Sequence, residues 1–132
     1  MTDRVTDRAA AVSVIVVDDQ APFRRAAQAV VEHTPGFEVV AEAASGEEAV
    51  ELVAEHRPAL VLMDINMPGI DGCEATRLIT RAHPQTVVVL VSTYDADDLP
   101  ADVASCGATQ YVHKEDLAPD VLAAAWSRHA SR

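Results

Sequence analysis

The sequence predicts an α/β fold, a doubly wound, five-stranded parallel sheet with helices on both faces. Three observations predict it. The runs VSVIVVD at 12–18, ALVLMD at 59–64 and TVVVLVS at 86–92 are nearly continuous in Val, Ile and Leu rather than alternating, the pattern of strands covered on both sides. Stretches with helical spacing separate them. The order strand, helix, repeated five times with right-handed crossovers, makes an open sheet with helices on both sides.

Each element follows from local chemistry. After the first strand, Phe23, Ala27, Val30 and Thr34 share one helical face, with Pro22 in the first turn and Pro35-Gly36 as the stop. FEVVAEA at 37–43 is a weaker strand. Ser45 and Glu48 form a capping-box signature for a helix reaching about Arg57, where Pro58 ends it. Asp71 and Glu74 repeat the signature before a helix ending near His83-Pro84. ATQYV at 108–112 is the last, short strand, and Leu117, Val121 and Ala125 make the apolar stripe of the final helix.

Bulk properties exclude several function classes. The 132 residues, 49% hydrophobic, suffice for one globular domain with a core. A formal charge of -11 argues against a phosphate-backbone binder, so no direct nucleic-acid partner is expected. The charged start MTDRVTDRAA has no apolar core of a signal peptide and reads as a flexible tail over 1–11, ahead of a domain over 12–130. No apolar run approaches a membrane span, so no membrane partner is expected. Cys73 and Cys106 lie far apart and form no C-x-x-C pair, which points to a reducing, cytoplasmic setting and to two small core-edge residues.

In such sheets ligands bind outside the carboxyl ends of the strands. Asp18-Asp19 stands at the first strand's end, Asp64 at the third, Ser92-Thr93 at the fourth, and Lys114, the only lysine of the chain, follows the fifth. An isolated Asp-Asp pair is most often a solvated turn. Four polar elements at one edge are a different matter. Three converging carboxylates repel one another unless they share a cation. A hard divalent ion answers this; Mg²⁺ suits, or Mn²⁺, because it keeps positions open for waters and phosphoryl oxygens. With Lys114 the charges sum to zero, and the Ser92 hydroxyl adds a hydrogen-bond donor for a phosphoryl group. Asp64, followed by the turn at Pro68-Gly69, is the candidate nucleophile, giving an acyl phosphate.

The runs VIVVDDQ, VLMDINMPGIDG, VVVLVST and GATQYVHKEDL together resemble the receiver domain of two-component response regulators, and more narrowly its NarL/FixJ-type branch. The likeness spans about residues 12 to 130. It implies a flavodoxin-like receiver fold with strand order 2-1-3-4-5, an order that comes with the resemblance and not from periodicity. It implies a phospho-acceptor, Asp64, charged by a histidine kinase, a phosphotransfer protein or a small phosphodonor. It implies a metal held by Asp18, Asp19, Asp64 and the backbone carbonyl of Asn66. Ser92, Thr93, Tyr111 and Lys114 become the phosphoryl-binding and switch residues.

Two departures from the family pattern stand out. Pro100 falls where relatives carry the body of the fourth helix, and proline in a helix interior costs about 3 kcal/mol. The expectation is a helix beginning at or after Leu99 or kinked there, with mobile residues around 94–100. Thr93 is larger than the residue many receivers carry beside the switch hydroxyl and is expected to restrict access to the phosphoryl group. Tyr94, Pro100 and Trp126 are the candidate partner surface; Trp126, the only tryptophan, lies beside its helix's apolar stripe, placed for a partner or for the core edge. The histidines, His113 included, read as surface groups and not as metal ligands.

The function expected is a phosphorylation-dependent signalling receiver that switches a protein-interaction surface. It catalyses only its own phosphoryl transfer and dephosphorylation, with a downstream protein target and a phosphorylation-dependent dimer as further expectations. The ending WSRHASR, without a linker or helix-turn-helix, favours a stand-alone receiver over a fragment of a DNA-binding regulator; a phosphorelay shuttle is the other alternative. An aspartyl-phosphate phosphatase fits less well, because its D-x-D motif is met here by Asn66 two residues after Asp64 and no cap domain is present.

Overall fold

A computed structural model describes residues 11–94, Leu99 and 101–130 of the chain. Five parallel strands form one sheet, β1 (Val12–Val17), β2 (Phe37–Ala43), β3 (Leu60–Asp64), β4 (Val87–Ser92) and β5 (Gln110–His113), in the order β2-β1-β3-β4-β5. The α-helices are α1 (Ala21–Glu32), α2 (Gly46–His56), α3 (Gly72–Ala82) and α4 (Pro119–Ala130). The order changes direction between β1 and β3, which opens a crevice beyond their carboxyl ends.

The continuous apolar runs are explained by burial on both faces. Val14, Val16, Leu60, Leu62, Val87, Val89 and Val91 pack with Ala27 and Val31 of α1 and Leu122 and Ala125 of α4. Ile15, Val17, Val61, Met63, Val88 and Leu90 point the other way, against Ala49 and Val53 of α2 and Ala75 and Ile79 of α3. Odd and even residues of one strand thus serve two different cores. The α1 seam is centred on Ala27 and Val31; Val30 is only half-buried.

Both predicted caps form. Ser45 Oγ accepts from the Glu48 amide at 3.1 Å, and Glu48 Oε1 reaches back to the Ala44 amide at 2.8 Å, one residue earlier than in the usual capping box. Asp71 Oδ1 accepts from the Glu74 amide at 2.8 Å and starts α3. Arg57 ends α2 with φ 47°, a left-handed turn that leads into Pro58.

The link between β4 and β5 departs from the expected strand-helix repeat. Among the described residues it holds a 3₁₀ segment, Ala101–Ser105, and no α-helix. Pro100 immediately precedes this segment and Gly107 follows at φ 104°, so few residues remain for an i to i−4 ladder and the tighter turn is used. The expectations of mobility around 94–100 and of a partner role for Pro100 fall largely outside the described residues, as does most of the proposed tail.

The loop after β3 is shaped by two glycines. Gly69 takes φ 82°, and Gly72 donates its amide to Ile65 O at 2.8 Å. A Cβ on Gly72 would lie 2.1 Å from the Asp64 carbonyl oxygen and 2.8 Å from Ile65 Cα. Both atoms are backbone and cannot rotate aside. Gly72→Ala is therefore expected to lower stability by about 3 kcal/mol and to displace Asp64, measured by urea denaturation and by phosphoryl uptake. A variant as stable as the wild type would refute this close packing.

Candidate functional site

The crevice is built from residues that directly follow strands. The Asp18 amide donates to Ala43 O at 3.1 Å, which ties the end of β1 to β2. Its carboxylate is fully buried; Oδ1 accepts from the Gln20 amide at 2.8 Å, a local turn that starts α1. Arg24 Nη1 donates to the Asp18 carbonyl at 2.7 Å while Nε pairs with Glu42 Oε1 at 2.8 Å. Hydrogen bonds from Gln28 and Arg24 hold the Glu42 carboxyl below its ordinary range. Arg24 was not singled out from the sequence. Its place one turn after the acidic pair was the only signal.

Asp64 closes β3, almost buried, and pairs in register with Val91 of β4. Burial, followed by the charge of Asp18, raises its pKa from 3.8 to about 6; the Lys114 ammonium and the Asn66 backbone amide act in the opposite direction. Asp19 is exposed, and one carboxylate oxygen each from Asp18, Asp19 and Asp64 lie within 4.8 Å of one another. The predicted acidic trio is thus brought together.

Lys114 opens a short 3₁₀ turn, Lys114–Asp116, directly after β5, where His113 Nδ1 accepts from the Glu115 amide at 3.1 Å. Its Nζ lies 2.7 Å from Asp18 Oδ2 and 3.7 Å from Asp64 Oδ2. Among the described residues Asp18 Oδ2 accepts no hydrogen bond of regular geometry apart from this ion pair. A buried carboxylate oxygen without a further donor suits a cation, because burying negative charge without full compensation is costly. The donor set, oxygen only and anionic, fits a hard divalent ion.

The switch candidates lie at the end of β4 and on β5. Ser92 is buried and its Oγ accepts from the Tyr94 amide at 3.3 Å; Thr93 is exposed. The Tyr111 hydroxyl donates to Ser92 O at 3.1 Å and to Tyr94 O, so the ring is already turned inward against this loop. Tyr111 is half-buried. Asn66 is exposed on the loop after Asp64.

The partner-surface expectation is narrowed. Trp126 is half-buried and meets Phe37 edge to face, with centroids 6.4 Å apart and planes at 82°. Tyr94 is half-buried against the α2–α3 core. Both are core-edge residues before they are anchors. Cys73 and Cys106 are buried and not joined in a disulfide, as expected of small packing residues. Among the described residues no helix is long and apolar enough to cross a membrane.

Comparison with known proteins agrees with this geometry. The family model described as "Response regulator receiver domain" matches residues 14–126. The chain is 38% identical over 104 residues to the transcriptional regulatory protein DegU of Brevibacillus brevis, covering 79% of this chain and 44% of the relative. It is 41% identical over 113 residues to the protein-glutamate methylesterase/protein-glutamine glutaminase of Alkalilimnicola ehrlichii, covering 83% of this chain and 29% of that protein. It therefore spans less than half the length of either relative. A crystal structure of a LuxR-family two-component response regulator from Aurantimonas superposes with a TM-score of 0.83 at 30% identity, covering 92% of this chain and 87% of the other. With the acidic crevice and the 2-1-3-4-5 sheet, these matches place the chain among the receiver domains of two-component response regulators.

Proposed function

We propose that the chain takes a phosphoryl group on Asp64, in a reaction that needs Mg²⁺ or Mn²⁺, and passes the change to a protein partner through the β4–β5 side of the crevice. The observation that carries this reading is the placement of Lys114, whose ammonium reaches both Asp18 and Asp64 at the mouth of a cluster of three carboxylates.

Asp18, Asp19, Asp64 and the carbonyl of Asn66 would hold the cation, which when bound neutralises charge on the transferring phosphoryl oxygens. The residues of the chain do the rest. In the metal-free site Asp64, raised to about 6, is still ionised for the most part at pH 7, so its carboxylate oxygen is available as the nucleophile. Its oxygen forms a bond to phosphorus as the bond from phosphorus to the donor breaks, at nitrogen for a phosphohistidine and at oxygen for acetyl phosphate. Lys114 and the Ser92 hydroxyl take up the new oxygens. Attack by water later returns the carboxylate and inorganic phosphate. Thr93, exposed beside Ser92, is the residue whose size would restrict that water.

The switch lies in the Tyr111 hydroxyl, which shares the loop of Ser92 through the carbonyls of Ser92 and Tyr94. When Ser92 turns toward a phosphoryl oxygen, the Tyr94 amide loses its acceptor, and the loop and ring settle in a second arrangement. A histidine kinase or phosphotransfer protein as donor, a downstream protein, a phosphorylation-dependent dimer and a cytoplasmic setting complete the proposal. The relatives' longer chains leave room for an output domain in a parent protein. The test is incubation with Mg²⁺ and acetyl phosphate. Mass gain on Asp64, absent with a chelator, supports the reading; turnover of added phosphomonoesters without labelling of Asp64 would replace it with a phosphatase.

A further inference from the structure

Phe23 stands in the first turn of α1, half-buried, and the Lys114 Nζ lies over its ring, 4.4 Å from the centroid. Among the described residues the ammonium thus meets the carboxylates of Asp18 and Asp64 and an aromatic face. The ring differs from the other two in one respect. It carries no charge that a metal ion can neutralise or a phosphoryl group can alter.

We propose that Phe23 is a positioning residue for Lys114, holding the ammonium at the crevice by its π face while the carboxylates change charge and partners. This rests on the phospho-acceptor reading of Asp64. A lysine side chain has a long stem with large rotamer freedom, and only the attraction of its neighbours keeps it in one place. A cation bound to the three carboxylates weakens that attraction, and a phosphoryl group on Asp64 offers the ammonium new oxygens in another place. The ring face remains, and an ammonium within about 6 Å of a ring centroid is drawn to it. The Lys114 side chain is only 12% exposed, so the contact is partly shielded from water.

The ring is also fixed relative to the acidic pair. Pro22 precedes it in the first turn of α1, and Arg24 follows with its guanidinium on the Asp18 carbonyl at 2.7 Å. The ring and the Asp18 main chain are therefore parts of one rigid corner. Lys114 is carried there from β5, on the opposite side of β3 in the sheet. If Phe23 merely filled space, leucine would serve as well.

That contrast supplies the experiment. Because Lys114 is the only lysine, isotopically labelled lysine gives one Cε–Hε signal in the full-length chain. In the wild type this signal is expected upfield, from the ring current of Phe23. Phe23→Leu should lose the upfield shift and take up phosphoryl from acetyl phosphate with Mg²⁺ about two- to fivefold more slowly. Phe23→Tyr should restore both. An unshifted wild-type signal, or a folded Phe23→Leu variant with wild-type rate, overturns the proposal. A shifted wild-type signal with no phosphoryl uptake in any chain overturns the Asp64 reading instead and with it the role assigned to the ring.

Discussion

Asp64→Asn is expected to be inert toward acetyl phosphate and, at pH 7, more stable than the wild-type chain. The first effect follows from the nucleophile, since an amide oxygen is too weak to attack phosphorus and no other carboxylate stands at the end of β3. The second follows from the raised pKa. In the unfolded chain Asp64 titrates near 3.8, in the folded chain near about 6, so between these values the folded state keeps a proton that the unfolded state has lost. Stability from this group is therefore full below about pH 4 and is lost as pH rises through 6. Solvent at the open side of the crevice reduces the effect, which is on the order of 2 kcal/mol at pH 7. The neutral amide avoids it. Urea denaturation of metal-free protein between pH 4 and 7 checks this: the variant's advantage should appear as pH rises and shrink when Mg²⁺ is added to the wild type. A variant less stable than the wild type at pH 7 would show that Asp64 is not under electrostatic strain.

Lys114→Met should be the most damaging substitution in the crevice for the metal-free fold, costing about 3 kcal/mol or more. Among the described residues the ammonium is the one charged partner of Asp18 Oδ2, and Asp18 is fully buried. Removing it leaves a buried negative charge uncompensated, beside a second carboxylate. Mg²⁺ restores a cation to the same oxygens, so the gap to the wild type should narrow as the metal is titrated in. Thermal denaturation in chelator and in Mg²⁺ reads both quantities. Equal destabilisation under the two conditions would mean that Lys114 and the metal do not share the carboxylates. Arginine keeps the charge, but its planar fork is larger and fixed in shape, which suits a permanent pair better than a contact that must change partners.

Much of this was legible in one dimension because the chemistry is local to strand ends. The strands β1, β3 and β4 read within a residue of their observed limits, since burial on both faces demands unbroken Val, Ile and Leu, whereas β5, short and less apolar, begins at Gln110, two residues after its expected start. Ser45 and Asp71 announced α2 and α3 because a cap is a contact across three residues. Asp18, Asp64 and Lys114 were found at the carboxyl edge because an open parallel sheet places its site there. The segment before β5 was less legible. A proline and a glycine mark an interruption, but whether the residues between them wind as α or 3₁₀ depends on how they lie against the sheet.

By itself the sequence determined the layered sheet, the acidic cluster and the single ammonium that answers it, because residue type and strand position decide these. Only the tertiary structure decided how the charge is shared. That Asp18 is the closer partner of Lys114, that Asp64 is left strained and basic, that Arg24 holds the main chain of Asp18 and that the ring of Phe23 lies under the ammonium all depend on distances between groups far apart in sequence. Coulomb and dispersion energies fall with separation in space, and separation in space is set by how β1, β3, β5 and α1 pack.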